Sequence, residues 1–111
     1  MASSGNISIR CDRPGFGDPQ LLSVMDPLRK LDDLKILNLD FTGITDDSLR
    51  QLRSLDSLEY LGLCETGVTD AGIEHLVEMR HLDELDLRNT NVTEAGVARL
   101  QFARPDCFIL R

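Results

Sequence analysis

The stretch Leu58–His81, LEYLGLCETGVTDAGIEHLVEMRH, decides the fold, because the sequence on both sides repeats its pattern. Leu34–Ser57 precedes it and Leu82–Pro105 follows it, each with the same 24-residue length. All three segments share the spacing LxxLxL, then a threonine, a Thr-acid pair and two apolar positions. Agreement at so many positions indicates a repeat protein, in which each unit buries its leucines against its neighbours.

Each repeat predicts a short strand, a turn and a short helix. Leu37 and Leu39 are two residues apart, so both point to one side of a strand. Thr45 and Asp46 predict the helix start, since a hydroxyl suits the N-cap and an acid suits the helix dipole. Gly43 falls in the bend between strand and helix, where we expect a positive φ. Gly67 and Asn91 hold the same position in the other repeats.

A threonine follows each predicted strand, at Thr42, Thr66 and Thr90. We expect its hydroxyl to point inward and to bond backbone groups of neighbouring loops, because buried polar groups are generally satisfied.

The two ends depart from the repeat. Residues 1–6 are polar and predicted to be loose, and a single domain then spans 7–111. Within it, 7–33 forms an irregular N-terminal repeat or cap, with a helix that starts near Asp18 as N-cap and is kinked or broken at Pro27. Regular repeats cover 34–57, 58–81 and 82–105, and 106–111 forms a C-terminal cap strand. The total is an α/β fold with about five parallel strands and four helices.

The segments TGITDDSL, TGVTDAGI and TNVTEAGV resemble the ribonuclease-inhibitor-like and cysteine-containing subtype of leucine-rich repeats. They are most similar to bacterial proteins rich in T-x-V-T-D-x-G-L repeats, and LQFARPDCFI resembles a frequent ending of that group. The resemblance implies a right-handed leucine-rich-repeat solenoid, a horseshoe segment with strands on the concave face and helices on the convex face. It also implies a protein-binding scaffold.

Residues that alternate with the inward leucines face outward on the concave sheet. The candidate partner-binding residues are Arg10, Ile36, Asn38, Asp40, Phe41, Tyr60, Cys64, Glu65, Glu84, Asp86 and Arg88. Ile36, Phe41 and Tyr60 form an apolar patch with acidic surroundings, and Gly62 leaves room beside Tyr60. The alternative is that single exposed apolar residues are ordinary.

Composition narrows the partner. A net charge of −7 argues against nucleic acids and anionic membranes, and favours a protein with a neutral or basic surface. No apolar run is long enough for a membrane span. Three scattered cysteines favour a reducing compartment, so we expect a cytoplasmic protein.

No residue pattern predicts a cofactor, a metal site or a catalytic centre. His75 and His81 are six residues apart and so do not share a helix face. Cys64 beside Arg88 is either a reactive thiol or simply a small side chain.

The sequence therefore predicts a non-enzymatic protein-interaction module that uses its concave face. The alternative is a structural module that acts through its open edges, Ile7–Arg10 and Cys107–Arg111, by self-association or within a larger repeat protein.

Overall fold

The computed structural model describes residues 7–111, which form four strand–turn–helix units and a final strand. The strands are β1 Ile7–Arg10, β2 Leu34–Asn38, β3 Tyr60–Gly62, β4 Glu84–Asp86 and β5 Phe108–Leu110. The helices are α1 Asp18–Arg29, α2 Asp46–Leu52, α3 Ile73–Val77 and α4 Glu94–Ala103. The strands pair in parallel and in chain order in one sheet, which confirms the predicted fold class. The loose N-terminus predicted for residues 1–6 lies outside the described residues.

The core lies between the sheet and the helices and is aliphatic. Leucines of the LxxLxL pattern form columns across the strands, and the columns contain Leu34, Leu58 and Leu82, then Leu37, Leu61 and Leu85, then Leu39, Leu63 and Leu87. Each of these side chains is at most 3% exposed. Full burial of one leucine stabilises a fold by about 1.5–3 kcal/mol, so these columns hold the stacked repeats together.

A threonine N-cap begins each helix of the regular repeats, as predicted. The hydroxyl oxygens of Thr45, Thr69 and Thr93 each accept a hydrogen bond from a backbone N–H of the first helical turn. In the second repeat this turn is a 3₁₀ turn over Asp70–Gly72, and α3 follows it directly.

The first helix differs from its prediction at its start. Its N-cap is Gly17, whose N–H donates to Gln20 Oε1 at 2.9 Å, and Asp18 is the first helical residue. Of the two outcomes expected at Pro27, a break does not occur, because the helix continues through Pro27 to Arg29. Pro27 lies in the last turn, where losing one backbone donor interrupts little of the helix.

Three aspartates each join one repeat to the next. Each stands at the first position of its helix, and its carboxylate accepts two hydrogen bonds from the N-cap threonine of the following repeat. Asp46 Oδ1 accepts from the Thr69 backbone N–H at 2.8 Å, and Asp46 Oδ2 accepts from the Thr69 hydroxyl at 2.5 Å. The other two links join Asp18 to Thr45 and Asp70 to Thr93. We call this series the carboxylate ladder.

The ladder favours the charged form of Asp18 and Asp70. Burial raises the pKa of Asp18, but hydrogen bonds from Ser48 and Thr45 outweigh burial and leave the pKa below its ordinary value. Hydrogen bonds from Thr93 lower the pKa of Asp70. The links are therefore strongest as charge-assisted hydrogen bonds.

Two glycines leave the space that the ladder occupies. A Cβ built on Gly72 would overlap the carboxylate of Asp46, and one built on Gly96 would overlap the carboxylate of Asp70. Ser48 stands at the equivalent position one repeat earlier, and its hydroxyl donates to the ladder carboxylate instead. The third residue after each N-cap threonine is therefore either a glycine, which has no side chain, or a serine that donates a hydrogen bond to the carboxylate.

The predicted positive φ at Gly43, Gly67 and Asn91 is wrong. These residues form isolated parallel bridges between consecutive turns, and no glycine of the described chain has a positive φ. The left-handed residues stand two positions earlier, at Phe41 (φ 61°), Glu65 (φ 59°) and Asn89 (φ 58°). Only the last of these belongs to a residue type that tolerates this conformation well.

The hydroxyl of the threonine that follows each strand of the regular repeats donates its hydrogen bond within its own repeat, and not to a neighbouring loop as expected. The bonds run to a carbonyl three residues earlier, from Thr42 to Leu39 O, from Thr66 to Leu63 O and from Thr90 to Leu87 O. They close the turn that carries the left-handed residue.

Candidate functional site

The strand register assembles the candidate residues into rows across the concave face. The first row contains Ser8, Ile36, Tyr60, Glu84 and Phe108. The second contains Arg10, Asn38, Gly62, Asp86 and Leu110. Asp40, Cys64 and Arg88 follow the second row at the same offset, and Phe41 and Glu65 stand at the rim beyond them. Neighbouring strands are about 4.8 Å apart, so members of a row are side by side.

The apolar members of the first row are accessible. Ile36 on β2 is 37% exposed, Phe41 at the rim is 57% exposed, and Tyr60 on β3 is half-buried. Phe108 is 61% exposed and extends the same row on β5. Sequence reasoning missed Phe108 because the final strand was treated as a cap, although its alternation with Cys107 and Ile109 would have placed it on this face.

The carboxylate of Asp40 crosses β3 and occupies the space above Gly62. Asp40 Oδ1 accepts a hydrogen bond from the Cys64 backbone N–H at 2.8 Å. In the neighbouring repeats, this N–H is served by the side chain two residues earlier, from Asn38 and from Asp86. Glycine has no such side chain, so Asp40 replaces it from the adjacent strand. The room predicted beside Tyr60 is therefore filled, and a Cβ on Gly62 would lie 2.8 Å from Asp40 Oδ1.

Asp86 and Arg88 form a pair that covers the floor of the face. Arg88 Nε donates to Asp86 Oδ1 at 3.0 Å, and Arg88 Nη2 donates to Asp86 Oδ2 at 2.8 Å. The hydrogen bond from Arg88 lowers the pKa of Asp86. Asp86 is only 1% exposed, whereas Arg88 is exposed. The expectation that Asp86 offers its side chain to a partner is thus wrong, because the guanidinium of Arg88 lies over it.

Cys64 was expected on the exposed row, but it is 7% exposed. Burial raises the pKa of its thiol, and the charges of Asp86 and Asp40 raise it further against the opposing charge of Arg88. The thiolate is the nucleophilic form, so this thiol is poorly suited to reaction. The structure favours the small-side-chain interpretation of Cys64.

The middle of the face carries negative charge. Burial raises the pKa of Asp40, and Asp86 adds to the effect. Burial also raises the pKa of Tyr60, with further contributions from Asp40, Asp86 and Glu84. Three carboxylates therefore act on one phenol, and together they make the electrostatic potential at Tyr60 more negative.

The cations of the face are already engaged. Arg10 Nη2 lies 2.7 Å from Asp12 Oδ2, and Arg88 pairs with Asp86. Among residues 7–111, no lysine, arginine or histidine nitrogen lies within 4.0 Å of a carboxylate oxygen of Asp40, Glu65 or Glu84. These three carboxylates are the charges left for a partner.

No group of three or more metal-ligating side chains lies together within residues 7–111. None of the four helices is both long enough and apolar enough to cross a bilayer, as judged over the same residues.

Comparison with known proteins supports the fold and leaves the partner open. No protein-family model matches the sequence, and no curated protein matches it. The chain is similar to the crystal structure of an internalin from Listeria monocytogenes, with 18% sequence identity and a TM-score of 0.50. The similarity covers 76% of this chain and 30% of the internalin chain. This likeness concerns the fold, and it agrees with a leucine-rich-repeat solenoid.

Proposed function

We propose that this chain is a non-enzymatic protein-interaction module that binds a protein partner on its concave sheet face. One observation carries the proposal: Ile36 and Tyr60 are neighbours in register on a sheet face that no other element of residues 7–111 covers, with the exposed ring of Phe41 at its rim. Aromatic residues next to aliphatic ones at the centre of a surface are typical of interface anchors.

The backbone at the rim fixes two of the candidate side chains. Phe41 and Glu65 are held at φ 61° and φ 59°, a conformation that costs a non-glycine residue roughly 1–3 kcal/mol. Asn89 has the same conformation at the equivalent position, so this turn belongs to every regular repeat. It holds the side chains of Phe41 and Glu65 at the rim, beside the row that contains Tyr60.

The experiment compares proteins captured from cell extract by immobilised wild-type chain and by two single variants, Ile36→Ala and Tyr60→Ala. Both side chains are accessible and neither makes a side-chain hydrogen bond among residues 7–111, so both variants should fold. The proposal expects both variants to lose the same captured proteins, which quantitative mass spectrometry measures. Asp86 is unsuitable for this test, since it is buried beneath Arg88.

Phe102→Ala is the matched control. Phe102 is 89% exposed on α4, on the convex face, so its replacement removes an exposed aromatic ring without touching the sheet. Proteins captured equally by wild type and by both concave variants would exclude the concave face as the binding surface. Hydrogen exchange on a purified complex should show protection in β2 and β3.

A second candidate function is assembly through the edges of the sheet. β1 and β5 each pair with only one neighbour in the described chain, and Phe108 on β5 is 61% exposed. Open strand edges are templates for pairing with another chain. Light scattering tests this candidate: a strict monomer at high concentration would contradict self-association.

Three finer assignments belong to this proposal. The T-D-x-G segments support the ribonuclease-inhibitor-like and cysteine-containing subtype of leucine-rich repeats. The raised pKa of the Cys64 thiol supports a non-enzymatic role, because a protonated thiol is a poor nucleophile. The three cysteines are unpaired, which supports a reducing, cytoplasmic location.

A further inference from the structure

The first row presents an apolar, an aromatic and an acidic side chain in succession. Ile36, Tyr60 and Glu84 are directly opposed in the strand register. The carboxylate of Asp40 lies above Gly62, which is two residues after Tyr60 on the same strand. A ligand that lies across the strands at this level meets Ile36 first, then the ring of Tyr60, then carboxylates.

The charges of this face complement a cation and repel an anion. Arg10 and Arg88, its two guanidiniums, are paired with Asp12 and Asp86. Asp40 and Glu84 make no ion pair among residues 7–111, and both raise the pKa of the phenol between them. A cationic group placed there would gain attraction from both carboxylates.

The aromatic ring adds a second attraction for the same kind of ligand. A guanidinium or ammonium group over the face of a tyrosine ring is attracted by the ring quadrupole. Arginine also stacks on aromatic faces while its donors reach carboxylates. Tyr60 is half-buried, so one part of it supports the face and the rest is accessible.

We propose that the concave face takes an extended, arginine- or lysine-rich peptide segment, with an apolar side chain on Ile36 and a cationic side chain beside Tyr60, between Asp40 and Glu84. This inference rests on the proposed function, and it names the chemistry of the partner. The partner is a basic protein segment, since an acidic segment would face uncompensated carboxylates on this surface.

The test uses three fluorescein-labelled short peptides of repeating Val-X-Gly-X sequence, in which X is arginine, glutamine or glutamate. Fluorescence anisotropy with the full chain should show binding of the arginine peptide, weaker binding of the glutamine peptide and none of the glutamate peptide. Raising the salt concentration from about 0.05 M to about 0.5 M should weaken the arginine peptide most, because salt screens exposed charges.

Two variants of equal net charge separate local from overall attraction. Glu84→Gln should weaken the arginine peptide about two- to fivefold, the range for one exposed ion pair. Glu94→Gln removes one negative charge from the start of α4, on the helix side, and should leave the affinity within experimental error. Equal effects of the two variants would overturn the inference, since the attraction would then come only from the net charge.

Two substitutions at Tyr60 test the aromatic contribution. Tyr60→Phe keeps the ring and should bind the arginine peptide like wild type. Tyr60→Leu should weaken the binding of the arginine peptide about two- to fivefold relative to wild type. Equal affinities for Tyr60→Leu and wild type would overturn the assigned role of Tyr60. Circular dichroism spectra that match wild type establish that each variant is folded.

The inference and the proposed function can fail separately. If the captured partner depends on Ile36 and Tyr60 but binds through an acidic segment, the inference is wrong and the proposed function stands. If the arginine and glutamate peptides bind equally well, the inference is also wrong, and the capture experiment still decides the function.

Discussion

Replacing Gly72 with alanine tests whether the close approach of consecutive repeats is a requirement of the fold. A Cβ at this position would overlap the carboxylate of Asp46 and lie 2.5 Å from Leu49 Cδ1. Leu49 is fully buried, so its side chain has little room to move away. The carboxylate of Asp46 also holds both hydrogen bonds to Thr69. One methyl group therefore acts on the core and on the ladder together.

The expected change in the free energy of unfolding combines a small stabilising effect with a larger destabilising one. Gly72 has φ −82° and ψ −14°, a conformation open to alanine, and removing a glycine from the unfolded chain would stabilise by about 0.4–1 kcal/mol. Overpacking a well-packed interior costs about 1–3 kcal/mol. Because the methyl group overlaps both Asp46 and Leu49, we expect a cost of about 2–3 kcal/mol, which leaves a net loss of about 1–2.6 kcal/mol in the free energy of unfolding. In melting temperature this is about 4–8 °C for each kcal/mol.

Urea titrations followed by circular dichroism measure the effect, and Gly43→Ala is the matched control. A Cβ on Gly43 would meet nothing nearer than 3.5 Å, and its φ is negative. We expect Gly43→Ala to stabilise by about 0.4–1 kcal/mol. A Gly72→Ala variant as stable as wild type would refute the claim that the fold requires this close approach of consecutive repeats. In an Asp46→Ala background, Gly72→Ala should cost less, because one of the two overlapping groups is gone.

Three other changes test separate features. Glu65→Asn should stabilise the fold by about 0.5–1 kcal/mol, since asparagine tolerates the left-handed conformation, and Asn89→Ala should destabilise it by a similar amount. Chemical denaturation measures both changes in the free energy of unfolding. Changes of the opposite sign would contradict the inferred backbone strain at these positions. The stabilising contribution of Asp18 should be complete above about pH 4 and should be lost as the pH falls through the lowered pKa of Asp18 in the folded state. The urea concentration at the midpoint of unfolding should therefore decrease less between about pH 6 and about pH 3 in Asp18→Asn than in wild type. A maleimide reagent should label the half-buried Cys11 before the buried Cys64, as peptide mass spectrometry shows; faster labelling of Cys64 would contradict its burial.

The repeat pattern correctly predicts the features that recur in every regular repeat. Leu37, Leu61 and Leu85 had to be buried, because no other arrangement gives three identical strands a shared core. The threonine N-caps follow from a local preference of the helix start, which neighbouring repeats do not alter. Strand count, strand order and helix positions are therefore readable from the alignment of the repeats.

The errors concern features that residue type and strand position alone do not fix. Asp86 and Cys64 were expected to be exposed because their strand position faces outward, but Arg88 of the same repeat lies over Asp86, and Cys64 is 7% exposed. The positive φ was assigned to Gly43 by residue type. It belongs to Phe41, since the tight turn, closed by the hydroxyl of Thr42, imposes it whatever the side chain. Residue preference is weak evidence where tertiary geometry dictates the backbone.

The carboxylate ladder gives the stack of repeats a polarity. Every link has its acceptor on the earlier repeat and its two donors on the later one, so a unit such as Leu58–His81 has an accepting flank and a donating flank that are not interchangeable. A duplicated copy of this 24-residue unit, inserted after His81, would meet Thr93 with its own Asp and would offer its own Thr to Asp70. The ladder therefore allows such units to be added in one orientation only, and each added unit would bring its own acceptor and its own donors for these links.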